Sequence, residues 1–333
     1  MKLGICSMWG TSLDLFRSEV RLAAKLGYEL VTVGDSPSGW HEMVTSMTIA
    51  ALEAPGAQIG SLVTSPFMRH PLIAANAFAT LDELTGGRAV LGFATGGSTV
   101  LAIGRPPARQ AEVRAEFAAL RQLFAGEEIE WEGRPVKSLR FARNVPIYYS
   151  AFGPKALALA AQEADGAILF AGDQHLDAVE ARIAMLRDAA TKAGRDPDAL
   201  DIWVTSFISV RPRREQAIGD LKAFIAVNAM ALRTPQALAM LPENVRPLVE
   251  AFQTRYDPSE HVVVGGKNVR LMDEMGLTEF LQDFDTIAGP EEHVADVLKR
   301  LEAMGVSTVI AALPGHADPL TTIRGLAAAR ERM

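Results

Sequence analysis

The chain has 333 residues, 49% hydrophobic and 22% charged, and its 27 Gly and 18 Pro are too few for a low-complexity or fibrous protein. Its 33 basic and 40 acidic residues leave a net charge of −7 with no basic run, which excludes an electrostatic footprint for nucleic acid or anionic lipid. The single cysteine, Cys6, excludes an internal disulfide, Met1–Cys6 lacks the apolar core of a secretion signal, and no apolar run reaches the roughly 20 residues of a membrane helix, so the expectation is a cytoplasmic protein.

Short β-branched runs alternate along the chain with longer segments of helical period, the pattern of parallel βαβ construction. The first strand is Leu3–Met8, followed by a helix that starts at Thr11 or Ser12, carries Phe16, Val20 and Ala23 on one face and stops at Gly27. Leu30–Gly34 is the second strand, before the turn-rich Asp35–Gly39 and a short helix near Val44–Leu52. Gln58–Val63 leads to a helix over Pro71–Leu84 that ends at Gly86-Gly87. Ala89–Phe93 precedes a Gly/Pro loop and an amphipathic helix over Ala108–Phe124, and residues 127–144 read as a surface hairpin turning near Gly133. Val145–Ser150 and Ala167–Phe170 bracket a helix opening at Gly153-Pro154-Lys155, with Pro in the first turn where its missing N–H costs nothing. A helix over His175–Ala193, a strand Asp201–Val210, a helical stretch from Arg213, helices Glu291–Met304 and Asp318–Arg330, and a last strand Ser307–Ala311 complete the series.

Eight strand–helix pairs in order predict a single (β/α)8 TIM barrel domain over residues 1–333, with an open doubly wound sheet as the rival. Residues 227–288 do not fit one strand–helix pair and read as a partly helical insertion between strands seven and eight.

In such a barrel the active site is built from loops at the carboxyl ends of the strands. A metal site is disfavoured because the first strand ends Cys6-Ser7-Met8-Trp9 without a His-x-His pair, and the six histidines are scattered singly. No lysine lies in mid-strand for Schiff-base chemistry, and no Gly-x-Ser-x-Gly elbow is present. Gly153-Pro154-Lys155 joins free backbone N–H groups, a positive helix end and an ammonium, which suits a phosphate, although a Gly-Pro helix start beside a solvated lysine explains the same residues. Gly96-Gly97 makes a second glycine turn at a strand end, where missing side chains let backbone approach a ligand. Two such turns at consecutive strand ends favour a phosphate-bearing cofactor. Trp9, Trp40 and Phe152 follow strand ends and either wall a flat ring or pack the rim. His70, before Pro71, is a helix cap or a ligand contact, and Asp35 accepts a hydrogen bond from ligand or loop.

Four stretches in order, Ala24–Pro37, Val63–Pro71, Ala79–Gly92 and Gly153–Leu157 with Ala164–Gly166, together with Ile103–Ala108, resemble the bacterial-luciferase-like superfamily and its deazaflavin-dependent branch. The resemblance is strongest over residues 1–175 and weakest in the insertion. It implies a barrel that binds coenzyme F420, or alternatively FMN, and moves hydride between that cofactor and a small organic substrate. By position, Asp35, Thr64, Ser65, Gly96, Gly97 and Ser98 would border the ring and its ribityl chain, Gly153 and Lys155 would take the phosphate, and Ser61, Ser150, Phe152 and Gly172 would complete the cofactor contacts. Trp9, Ser36 and Trp40 would face the substrate, and proton transfer would fall to His70 or His175. The family bends its third strand through a non-prolyl cis peptide, which here would fall near Gly60-Ser61-Leu62, and a homodimer is implied as well. Two departures stand out. An acidic residue near the end of the family reductase's first strand is replaced by Cys6 or Ser7, and Ser36 stands where related dehydrogenases have histidine. Gly96-Gly97-Ser98 also replaces the family's Gly-Asp-Ser, which leaves an FMN-dependent monooxygenase as the second reading. A non-redox barrel isomerase or lyase is the third, and a non-catalytic flavin-binding relative the fourth.

Overall fold

The computed structural model describes residues 1–8, 12–232, 238, 241–284 and 286–333. The chain divides into two compact units: Met1–Leu169 with Ala178–Thr205 and Met304–Ile310, and Phe170–Asp177 with Ser206–Ala303 and Ala311–Met333.

The chain forms a closed barrel of eight parallel strands, the fold the alternation predicts. Its strands are β1 (Lys2–Cys6), β2 (Leu30–Val33), β3 (Gln58–Ser61), β4 (Ala89–Phe93), β7 (Ile147–Ser150), β8 (Gly166–Phe170), β9 (Asp201–Val210) and β11 (Thr308–Ala312). They neighbour one another in that order, β9 pairs with β8, and β11 stands between β9 and β1. The strands are buried along nearly their whole length, because a barrel wall covered by helices has two dry faces, and this is why they read as continuous apolar runs rather than as alternation. The remaining pair of the first unit, β5 (Ile129–Trp131) and β6 (Arg134–Val136), is the expected antiparallel hairpin.

The barrel interior is packed by Cys6, Leu30, Val90, Tyr148, Ile168, Trp203 and Ile310. Tyr148 and Trp203 stack at 3.8 Å between ring centroids. Two rings of that size fit because Gly166 faces them: a Cβ there would lie 2.3 Å from Tyr148 Cε1. At the amino ends of the strands Asp201 accepts from Tyr148 Oη at 2.6 Å and Trp203 Nε1 at 3.0 Å, and from Ser307 Oγ. One carboxylate thus ties three strands at the face that stabilises rather than reacts.

The helices begin and end where the chemistry of the backbone groups requires. Ser12 caps α1 (Leu13–Lys25) by accepting from Leu15 N–H, and Phe16, Val20 and Ala23 are buried. Helix α2 is Met43–Glu53; α3 (Pro71–Thr85) opens on Pro71 and closes on Gly86 and Gly87, both left-handed at φ 67° and 86°. Then come α4 (Ser98–Ala102), α5 (Gln110–Phe124), α6 (Pro154–Glu163) and α7 (Leu176–Lys192).

In the second unit α8 (Arg214–Ala231) and the helices Arg246–Arg255, Lys267–Glu274 and Thr278–Leu281 share an apolar core built on Phe207, Leu221, Phe224, Val249, Phe252 and Met272. Across the end of the expected insertion runs a strand that periodicity does not reveal, β10 (Thr286–Gly289), paired in parallel with Phe207–Val210. A buried polar network also lies here: His316 is held by the Asp318 N–H on Nδ1 and by Ile208 O and Thr322 Oγ1 at Nε2, while Arg211 bridges Asp220 and Asp318.

Candidate active site

The carboxyl ends of β2, β3 and β4 gather the side chains with chemical potential. Beyond β3 the chain turns through a cis peptide, Leu62–Val63, the non-prolyl bond expected near residues 60–62. Thr64 then rejoins β4, its N–H donating to Gly92 O at 3.0 Å and its carbonyl accepting from Ala94 N–H at 2.9 Å. The Ser61 hydroxyl donates to Gly92 O at 2.8 Å and accepts from Gly92 N–H at 3.0 Å, so it laces β3 to β4.

Asp35, at the end of β2, is 5% exposed. Its Oδ2 accepts from Thr64 Oγ1 at 2.6 Å and from Arg69 at 2.6 Å. Asp35 thus accepts hydrogen bonds from the β3–α3 connection. A buried carboxylate is tolerated because a guanidinium and a hydroxyl replace the water it loses, and Thr64, having donated inward, offers only its lone pairs to anything else. The same guanidinium reaches Glu42 at 2.8 Å. Burial opposes the charged form of Glu42, but hydrogen bonds from the Thr45 and Val44 backbone and from Arg69 prevail and hold its carboxyl below the ordinary value.

Ser65 is the side chain here that lacks a protein partner. It is 4% exposed, and its Oγ makes no hydrogen bond among the described residues. Beside it Gly96 has φ 85°, and a Cβ there would meet Val100 Cγ1 at 2.6 Å and Ser65 Oγ at 3.1 Å, so this turn requires glycine on two counts. Gly97 borders open space and precedes α4; the Ser98 side chain lies outside the described residues. Arg105, in the loop after α4, rests over the Phe67 ring at 4.5 Å.

At the end of β7, Ser150 is half-buried, Phe152 is 58% exposed, and Gly153 caps α6 with Pro154 and an exposed Lys155 following. A Cβ on Gly153 would meet nothing within 4 Å, so the approach to this helix start is clear. Ser36 and Trp40 share one turn, Ser36 O accepting from Gly39 N–H at 3.0 Å and Trp40 N–H at 2.9 Å. Trp9 lies outside the described residues. Of the two histidines, His70 is the cap: its Nδ1 accepts from Leu72 N–H at 3.1 Å, and its ring meets Trp131 edge-on at 6.3 Å. Gly172 and His175 belong to the second unit, where Gly172 leads into the turn Asp173–His175 and the His175 ring packs on Phe284 at 4.8 Å. The first unit therefore brings together Asp35, Thr64, Ser65 and Gly96.

Three polar residues were not assigned from the sequence. Nothing in the sequence pairs Arg69 with a carboxylate 34 positions away. Glu19 shares the buried face of α1 with Phe16 and Val20, and its carboxyl, pushed up to about 7 by burial, accepts from Ser7 Oγ at the end of β1. Glu116 is buried on α5. Their signal is an acid at core spacing in an amphipathic helix. Among the described residues no three His, Cys, Asp or Glu side chains could hold a metal ion, and no helix is long and apolar enough to cross a membrane.

The eight-stranded parallel barrel thus places a glycine turn and an unpartnered hydroxyl at its carboxyl ends, the end at which barrel enzymes build their active sites. A sequence model of the luciferase-like monooxygenases matches residues 1–308, and the chain belongs to that family of enzymes. It is similar to the 5,10-methylenetetrahydromethanopterin reductase of Methanolobus tindarius, 28% identical over 306 residues that cover 88% of each chain. It is similar to the F420-dependent glucose-6-phosphate dehydrogenase of Microbacterium testaceum, 30% identical over 268 residues that cover 72% of this chain and 80% of that one. Among solved structures, the coenzyme F420-dependent tetrahydromethanopterin reductase of Methanopyrus kandleri has the same fold, with a TM-score of 0.77 and 22% identity over 98% of this chain and 97% of that one.

Proposed function

We propose that this protein transfers hydride between coenzyme F420 and a small organic molecule. The observation that carries the reading is Ser65: a buried hydroxyl without a protein partner costs free energy unless a ligand or water completes it, and this one borders the Gly96 turn. The residues present fit such a cofactor. Gly96 and Gly97 let a ligand come against backbone, Ser65 offers an O–H, and Gly153 with Lys155 presents a helix start and an ammonium to a phosphate. When bound, a deazaflavin supplies a ring carbon that carries hydride. The protein's part is to hold that ring and the substrate in contact and to keep water away. The relatives named for F420 dependence favour this cofactor over FMN.

Titration of the protein with each cofactor, followed by absorbance or calorimetry, tests the reading. Tight binding of coenzyme F420 and weak binding of FMN are expected, and the reverse order would move the assignment to a flavin enzyme. Ser65→Ala should weaken binding by about tenfold, the loss of one hydrogen bond in a dry site, and Lys155→Ala should weaken it in a salt-dependent way. Binding of neither cofactor would sink the proposal. We also read a homodimer, supported by Leu52, Ile73 and Leu84 standing 66%, 58% and 49% exposed on α2 and α3. Sedimentation is expected to give twice the chain mass, and the double variant Leu52→Glu/Ile73→Glu should give one.

A further inference from the structure

We propose that Arg69 is a positioning residue, a single guanidinium that staples shut the loop carrying Ser36 and Trp40. The loop leaves β2 at Asp35 and enters α2 after Glu42. Arg69 Nη1 donates to Asp35 Oδ2 at 2.6 Å, its Nη2 lies 3.5 Å from Asp35 Oδ1, and Nη2 also donates to Glu42 Oε1 at 2.8 Å. Both ends of the loop therefore converge on one side chain of the neighbouring β3–α3 connection.

Each anchor is itself fixed. Asp35 Oδ2 also accepts from Thr64 Oγ1 at 2.6 Å, and Glu42 Oε2 caps α2 by accepting from Thr45 N–H at 2.7 Å. Between the anchors Ser36 O accepts the Gly39 and Trp40 N–H groups, and Pro37, Ser38 and Gly39 are exposed. Such a segment owes its order to its ends, because fixing the ends removes most of the conformations open to the middle.

The geometry requires arginine. A planar fork presents donors to two carboxylates at once, whereas a lysine ammonium is a compact point charge that can pair with Asp35 but not span to Glu42 as well. The placement of Trp40 and Ser36 thus depends on a residue from outside their loop. The consequence for turnover rests on the oxidoreductase reading above, but the staple itself does not.

The test is amide hydrogen exchange on the full-length protein without cofactor, comparing wild type with Glu42→Gln and Arg69→Lys. Exchange at Gly39 and Trp40 is expected to quicken by roughly tenfold or more in both variants, the effect of losing one charged hydrogen bond, while α3 and the barrel strands stay protected. Glu42 is half-exposed, so Glu42→Gln decides the question even if Arg69→Lys fails to fold. Unchanged exchange over residues 36–42 in Glu42→Gln would overturn the proposal, and so would faster exchange spread over the whole chain. Coenzyme F420 titrated into the same samples reads the cofactor assignment separately: a wild type that binds none refutes that assignment and leaves the exchange result standing.

Discussion

Gly92→Ala is expected to cost the protein about 3 kcal/mol or more of stability, at the upper end of what overpacking a core costs. The Cβ would lie 2.1 Å from the Ser61 carbonyl oxygen and 3.4 Å from Val63 Cγ1. The first of these is backbone on the adjacent strand, and it cannot swing aside as a side-chain tip would. Gly60 is the reciprocal case, its Cβ falling 2.2 Å from Val90 O. β3 and β4 are therefore pressed together by glycines facing each other's backbone, and Ser61 bonds across the same junction. Relief would require separating the two strands at the root of the Thr64–Ser65 segment, so ligand binding should fall together with stability. Gly153→Ala is the control. Its φ of −105° and ψ of 168° are extended backbone open to any residue, and its Cβ would meet nothing within 4 Å, so denaturant unfolding should place it within about 1 kcal/mol of wild type. Equal unfolding midpoints for Gly92→Ala and wild type would show that the contact is not what sets this junction.

The barrel was legible in the sequence because its strands lie between two dry layers and its helices announce their ends. Ser12, Pro71 with Gly86-Gly87, and Gly153-Pro154 act on backbone groups within a few residues of themselves, so local sequence suffices to place them. β10 was not legible for the opposite reason. Thr286–Gly289 is too short to show a period, and its partner is the outer end of β9, which lies some eighty residues earlier in the chain. The site divides along the same line. Glycine turns and polar residues at strand ends were found from position alone. What each hydroxyl or carboxylate does was not, since Ser61 is spent on Gly92, Thr64 on Asp35, and Asp35 on Arg69, all contacts between elements.

The acids hidden in the helices lead to a second large effect, a decline of stability with rising pH. Glu116 is 1% exposed on α5, its Oε2 has no hydrogen-bond partner among the described residues, and burial pushes its carboxyl up to about 8. In the unfolded chain it ionises near 4.5. Between these values the folded state keeps a proton that the unfolded state releases, so stability falls as pH rises, by about 1.4 kcal/mol per pH unit for one group. Glu19 acts in the same direction only up to about 7. His316 acts in the opposite direction: burial lowers it to about 4 from 6.5, so its contribution is lost as pH drops through that interval. From pH 7 to pH 8, of these three groups, Glu116 alone is still titrating. Wild type should lose stability across that unit, and Glu116→Gln, which carries no ionisable group, should hold it nearly constant. Parallel stability curves for the two proteins between pH 7 and pH 8 would mean that the Glu116 carboxyl finds a partner or water when it ionises.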